Sequence, residues 1–376
     1  MTDKQVHIVS FNIPFPPNYG GVIDVYYKIK SLHECGVKVH LHCFQYGREE
    51  TEELMKICHT VNYYPRKKFF QAFYHSVPFI IASRKSNELL SNLSELVAPI
   101  IFEGLHTCFY LSHPSLSEHT KAVRIHNIEW DYYRGLGKAE RNFFRKFYFY
   151  SESKKLKEFE PELNTADLIL TISRHDDEYY GKIFKTNFYT PAFHSNEAVR
   201  SKEGRGKYAL YHGSLNVVEN NQAAIYLLRK VFDKLDIPLI IAGKNPLSTL
   251  KSAVKAGKNV RLIESPSDEK LMDLITNAHV NVLPTFQATG IKLKLLNALF
   301  NGRYCLTNSR MVQNTGLEKL CIVENDSTKM KEVIRKLFQV DFCNQKTEER
   351  KKILQKEFTN KVNAEQLISR LFPSPQ

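Results

Sequence analysis

What the chain lacks narrows its class before any motif is read. Its seven cysteines form no CxxC pair, so neither a thiolate metal site nor a dithiol redox pair is expected. Cys43, Cys108, Cys305 and Cys321 sit in apolar, strand-like runs and read as buried, reduced thiols. No apolar run is long enough to span a bilayer, and VPFIIAS near Pro78 falls far short. The opening MTDKQVHIVSF has no apolar signal-peptide core, so a cytoplasmic protein is expected. Solenoid repeats and low-complexity tracts are missing. So is the full GxGxxG dinucleotide fingerprint. Acidic residues are in deficit, 40 against 53 Lys and Arg, leaving a formal charge of +13. That excess calls for an anionic partner, whether nucleotide, membrane surface or nucleic acid, and net charge does not rank the three.

What is present describes an ordinary globular chain. A hydrophobic content of 43% with 25% charged residues argues against disorder, and 376 residues exceed what one core usually serves. The run Val6 to Phe11, the loop NIPFPPNYGG, a helical pattern from Val22 to about Glu34 and the strand VKVHLHCF make a βαβ unit. Further strands are expected at Val61 to Tyr64, Ile100 to Glu103, Ala122 to His126 and Leu168 to Ile172. Between Lys185 and Arg205 the period fades, as in a linker. The alternation then restarts: KYALYHG, helix Asn221 to Leu235, PLIIAG, helix Leu247 to Ala256, NVRLI, helix Asp268 to Ala278, NVLP, helix Ile291 to Asn301, and RYCLTN. We therefore expect an α/β protein with two doubly wound domains, 1–192 and 207–354, joined by 193–206. A last helix, roughly Thr347 to Leu371, is expected to pack back, its residues from 355 on reaching the first domain.

Open parallel sheets bind ligands beyond the carboxyl ends of their strands, and polar residues cluster there. Gly20 and Gly21 open the first helix, where free N–H groups suit a phosphate, although a tight turn needs glycine equally. Glu103 and His106 follow one strand; His126 and Glu129 follow another. A carboxylate or imidazole so placed could orient a hydroxyl or take its proton, and loop capping is an equal alternative. In the second half, Gly213 and Ser214, Gly243 and Lys244, and Glu264 occupy three more strand ends. The segment HVNVLPTFQATGIKLKLLNALFNG is the most telling. Lys292 and Lys294 stand in the first turn of the helix expected to open at Gly290, the end where a dipole disfavours cations. An anion there resolves the conflict, so Gly290, Ile291 and both ammonium groups read as a diphosphate cradle.

Two basic-aromatic stretches stand apart. RKKFFQAFYHSVPF, Arg66 to Phe79, and RNFFRKFYFYSESKKLK, Arg141 to Lys157, suit the headgroup region of an anionic membrane. In the second, Phe144, Phe147 and Tyr148 recur at helical spacing, so a buried aromatic face with solvated cations is at least as good a reading.

NYGG, HNIE with the basic helix beyond it, ADLILTIS, YHGSL and TGIKLKLLNALFNGRYCLTN together resemble the GT-B glycosyltransferases, in particular their large retaining family four. The resemblance implies two Rossmann-like domains facing a cleft. It also implies sugar transfer, with retention, from a UDP- or GDP-linked donor to a glycan or lipid-linked saccharide on the first domain, as in polysaccharide biosynthesis at the inner face of the cell membrane. The second-domain loop would bind the diphosphate and its neighbours the nucleoside. Glu103, His106, His126 and Glu129 would position the acceptor. No cofactor is implied, and Lys292 and Lys294 fill the cation's role, so no metal is expected. The chain departs from the family where two glutamates usually stand, at Thr289 and Asn297. LNVVENN replaces a basic pair. A GT-B-shaped subunit without turnover is the leading alternative, ahead of a nucleotide-sugar epimerase and a nucleic-acid binder.

Overall fold

The computed structural model describes residues 4–68, 71, 76–286 and 292–373. They form two compact units, one comprising residues up to Ser195 together with those from Asn360 on, the other lying between Asn196 and Thr359. The first contains β1 (Gln5–Ser10), α1 (Gly20–Glu34), β2 (Lys38–Gln45), β3 (Thr60–Pro65), α2 (Phe79–Ala82), α3 (Asn87–Ser94), β4 (Ile100–Glu103), β5 (Lys121–Ile125), α4 (Glu129–Ala139), α5 (Phe143–Phe159), β6 (Leu168–Thr171), α6 (Arg174–Tyr180) and β7 (Asn187–Tyr189). Its strands run parallel in the order β3-β2-β1-β4-β5-β6-β7.

The second contains β8 (Ala209–His212), α7 (Val218–Tyr226), β9 (Leu239–Gly243), α8 (Ser248–Lys255), β10 (Val260–Glu264), α9 (Asp268–Asn277), β11 (Val280–Val282), α10 (Leu293–Asn301), β12 (Tyr304–Thr307), α11 (Ser309–Val312), β13 (Ile322–Val323), α12 (Ser327–Leu337) and α13 (Asn344–Glu357). Here the parallel order is β10-β9-β8-β11-β12-β13. The last helix, α14 (Asn360–Leu371), belongs to the first unit.

The local causes are ordinary. Parallel strands covered on both faces read as continuous apolar runs, and Val6, Ile8 and Val9 of β1 are fully buried. Each such side chain contributes about 1.5–3 kcal/mol. In α1, Val22, Val25, Ile29 and Leu32 recur at helical spacing and are buried. Ser86, Ser173, Ser267 and Asp326 cap α3, α6, α9 and α12 by accepting backbone N–H groups.

Four details depart from expectation. The helix expected from Gly290 starts at Leu293, with Lys292 just outside it; Thr289, Gly290 and Ile291 lie outside the described residues. β7 and β13 are short edge strands, β7 falling inside the stretch read as linker. The helix expected to run to Leu235 passes at Leu227–Val231 into a π-helical turn. The single helix expected over Thr347 to Leu371 is two, broken at Phe358. Beyond the break, the Asn360 side chain accepts from His194 N (3.0 Å) and donates to His194 O (2.6 Å), fixing the entry to α14.

Candidate functional site

In each sheet the strand order reverses once, between β1 and β4 and between β8 and β11. Such switch points leave a crevice at the carboxyl ends of the strands, and each unit places its polar residues there.

In the first unit, Phe11 follows β1, and its ring lies 5.5 Å from that of His106 and 5.4 Å from that of His126. Buried Arg84 holds the Phe11 carbonyl through Nε (3.1 Å) and Nη2 (3.0 Å). Gly21 serves this packing, since a Cβ there would lie 2.7 Å from the Phe11 ring. Gly20 begins α1, whose first turn has neither a side-chain cap nor an acidic residue. Gly104 has φ +70°, and a Cβ would meet His106 Nδ1 at 2.9 Å.

Below the crevice lies a buried ionic network. Arg124 grips Asp24 through two hydrogen bonds, 3.1 and 2.9 Å, and donates to the carbonyls of Thr190 (2.6 Å) and Pro191 (3.0 Å). Lys28 Nζ sits 3.1 Å from Asp24 and 2.7 Å from Glu103. Burial opposes ionisation of Asp24, but Arg124 and Lys28 hold its carboxyl well below the usual range. Asp24, Glu103 and His126 bring three ligand-type atoms within 4.8 Å of one another, the one such group among the described residues. The Lys28 ammonium stands between the two carboxylates.

The structure corrects the reading of Glu103. Its carboxylate is fully buried, paired with Lys28 and 3.1 Å from His126 Nε2, so it fixes His126 and does not reach an acceptor. At this crevice, Nδ1 of His106, Nδ1 of His126 and Oε1 of Glu129 are among the buried polar atoms of the described residues that have no hydrogen-bond partner. Burial, with Arg84 and His126 adding, keeps the His106 pKa well below its ordinary value. Burial also raises Glu129 to about 7, with Asp176 adding and Asn127 and Arg84 opposing. Asp176 rises to about 6, again through burial, against the Ser173 cap and His175 and His126.

In the second unit the Lys294 Nζ donates to Asn220 Oδ1 (2.7 Å) and lies 5.5 Å from the Tyr211 ring. Burial lowers its pKa to about 8, opposed by Glu219 and reinforced by Lys292. Lys292 is lowered too, by burial against the pull of Glu219. Glu219 is held by Thr285 Oγ1 and by Phe286 N at 3.2 Å. His212 is pushed down to about 3 by burial and by Lys294. The two lysines, Glu219, Asn220 and His212 thus gather at the β8/β11 switch point, around the ends of α7 and α10.

The other expected site residues divide. Ser214 and Gly213 flank the crevice, the Ser214 carbonyl accepting from Asn220 Nδ2 (3.1 Å). Gly243 admits its own chain rather than a ligand: a Cβ there would lie 1.8 Å from the Gly213 carbonyl oxygen. Lys244 is half-buried at the end of β9. Glu264 makes an exposed pair with Lys251 at 2.5 Å. Asn297 accepts from Asn196 Nδ2 (2.9 Å), and Asn301 donates back to Asn196 Oδ1 (2.7 Å), so Asn297 is engaged in an amide ladder with its own unit.

Sequence reasoning passed over Lys28, Asp24, Glu219 and Asn220. A signal existed for the first pair, because two charges four residues apart interrupt the apolar stripe of α1. Glu219 and Asn220 were visible only as the replacement of a basic pair, not as the partners of Lys294.

No known family profile matches the sequence. The chain is 28% identical over 352 residues to a 44.6 kDa protein in the cps region of Klebsiella pneumoniae, covering 88% of this chain and 90% of that one. Among solved structures it resembles S. aureus TarM in complex with Fondaparinux, α-GlcNAc-glycerol and UDP, with a TM-score of 0.68 and 10% identity over 98% of this chain and 99% of that one. The lipopolysaccharide outer core galactosyltransferase WaaB gives 0.59 and 12% over 98% and 99%. Arabidopsis thaliana UGT89C1 complexed with UDP gives 0.56 and 11% over 98% and 99%. With two doubly wound parallel sheets and these neighbours, the chain has the GT-B fold of nucleotide-sugar glycosyltransferases.

Proposed function

We propose that the protein is a retaining glycosyltransferase that moves a sugar from a nucleoside diphosphate, UDP before GDP, to a hydroxyl of a glycan or lipid-linked saccharide. The observation that carries the reading is the gathering of Lys292 and Lys294 beside Asn220 at the β8/β11 switch point. Two partly desolvated ammonium groups repel one another, and a diphosphate would relieve both. In transfer, the bond between the anomeric carbon and the β-phosphate oxygen breaks and the electron pair stays on the diphosphate. Fixed cations aimed there stabilise the transition state more than the ground state. The departing phosphate can take the proton of the acceptor hydroxyl. His106, His126 and Glu129, with their unpartnered buried atoms, are suited to orient a hydroxyl-rich acceptor. UDP in the TarM and UGT89C1 structures and the galactosyltransferase name of WaaB favour this substrate class. The lysines supply the positive charge, so the proposed step needs neither a metal nor a cofactor.

A thermal-shift panel of nucleoside diphosphates tests the donor half, because a ligand that binds only the folded chain raises its melting temperature. UDP is expected to give the largest shift. Indifference to every nucleoside diphosphate would remove the reading. The amide ladder at Asn297, where the resemblance places a glutamate, favours one rival, a binding subunit without turnover. UDP binding with neither hydrolysis nor transfer of any UDP-sugar would select it.

A further inference from the structure

The α4–α5 hairpin reverses the usual logic of an amphipathic helix. Phe143, Phe144 and Phe147 at the start of α5 are 75%, 81% and 69% exposed, with Tyr150 and Tyr132 partly exposed beside them. The reading that these aromatics are core is thereby overturned. What α5 turns inward is largely polar. Glu152 accepts from Phe79 N (2.6 Å), Ser153 Oγ donates to the Trp130 carbonyl (2.6 Å), and Leu156 completes the buried side. Phe143, Phe147, Tyr150 and Lys154 follow one another at helical spacing along the outer face.

Three phenylalanine rings so exposed present on the order of 400 Å² of aromatic surface, as much as the largest apolar patch of an ordinary monomer. Phe143 and Phe144 touch, with ring centroids 5.9 Å apart. Cations surround them: Arg134, Lys138, Arg141 and Arg145 are exposed and Lys146 is half-buried. Glu140 pairs with Arg145 at 3.3 Å, but the arginine stays largely exposed, so the contact holds it only weakly.

From this face we infer a docking surface for an anionic lipid bilayer. Aromatic rings enter the interface between headgroups and chains, while arginine and lysine meet lipid phosphates. A second copy of the chain fits less well, since a two-fold contact through this patch would set Arg141, Arg145 and Lys146 against themselves. The hairpin is also rooted at the crevice, because α4 begins at Glu129, directly after His126. Docking would hold the β4/β5 strand ends near membrane-borne saccharides. The inference goes beyond the transfer reaction and is measured without it.

The experiment is flotation of the purified full chain with vesicles of phosphatidylcholine alone and of phosphatidylcholine with 30% phosphatidylglycerol, a composition of about the anionic content needed for polybasic attraction. Wild type is expected to float with the anionic vesicles and to be released by salt. The triple variant Phe143→Ser, Phe144→Ser, Phe147→Ser should lose at least about tenfold in partitioning, and Arg141→Glu, Arg145→Glu, Lys146→Glu should lose as much, each with an unchanged melting temperature. The inference is overturned if the phenylalanine variant floats as wild type does, which would assign attraction to net charge alone. It is equally overturned if wild type ignores both vesicles, or if the serine variant instead abolishes a dimer or release by an oligonucleotide.

Discussion

Lys28 places its ammonium nitrogen 2.7 Å from Oε1 of Glu103, with both side chains withdrawn fully from solvent. The pair joins α1 to β4 beneath the first switch point, and its second carboxylate, Asp24, ties in Arg124 and the Phe193 backbone N–H. Removing one member of a buried ion pair costs far more than the pair contributes, because it strands the other charge. Lys28→Ala should therefore destabilise the protein by about 3–5 kcal/mol, read from urea unfolding. A loss below about 1 kcal/mol would mean that the network is wet and loosely held.

Replacing Lys292 and Lys294 together by alanine should lower turnover about 100- to 1000-fold, as loss of preorganised charge at a leaving group does. The melting temperature should barely move. Full transfer activity in the double variant would remove both lysines from the chemistry.

Donor binding should also titrate. Lys294 in the free protein has a pKa near 8, and a bound diphosphate raises it, so binding takes up a proton above that pH. UDP affinity is expected to be flat from pH 7 to about 8 and then to fall by up to about tenfold per pH unit. Calorimetric titrations across this range check it, and Lys294→Met should flatten the curve.

A chain of hydrogen bonds under the first sheet predicts acid lability. His7 Nε2 donates to the Leu96 carbonyl (3.0 Å), so its Nδ1 accepts from His42 Nε2 (3.0 Å); His42 Nδ1 then accepts from the Tyr64 hydroxyl (2.8 Å), which Asn92 Nδ2 meets at 2.8 Å. A further proton on either ring would turn the run toward Tyr64, whose oxygen would then accept from both His42 and Asn92, and would bring a charge into a buried site. Burial lowers His7 to about 4 and His42 to about 3. Both folded values lie below the unfolded value of about 6.5, so their contribution is fully present above that pH and drains away as pH falls toward the folded values. His7 alone should account for on the order of 3 kcal/mol. Urea midpoints between pH 7.5 and 4 should fall steeply in wild type and less in His7→Gln.

Gly243→Ala should damage folding as well as binding, by about 1–3 kcal/mol or more, because its Cβ would meet the Gly213 carbonyl at 1.8 Å. A variant of normal stability that had lost only UDP binding would return Gly243 to the ligand.

The alternation of apolar runs and helical periods made both sheets legible, since strands buried on two faces leave unmistakable sequence runs. β7 and β13 did not stand out, being edge strands of three and two residues with little to bury. Candidate residues at strand ends were legible as positions but not as roles. Glu103 looked like an acceptor contact because nothing in IIFEGLH shows a lysine on α1 reaching it. Lys292 and Lys294 stood out by their conflict with the helix dipole, although α10 begins later than the glycine suggested. The outer face of α5 was left between two readings for a plain reason. Helical spacing reports that aromatics share a face, not whether that face meets the core or the solvent.

The first unit is built from segments on either side of the second. Ala364, Leu367, Ile368 and Leu371 of α14 share a core with Ile29 and Leu32 of α1, and Asn360 clamps the His194 backbone. The apolar layer that α14 adds to this unit thus leaves the ribosome only after the whole of the second unit has been made. Until then the exposed stripe of α1 must wait uncovered while the second unit, continuous from Asn196 to Thr359 among the described residues, is free to fold ahead of it.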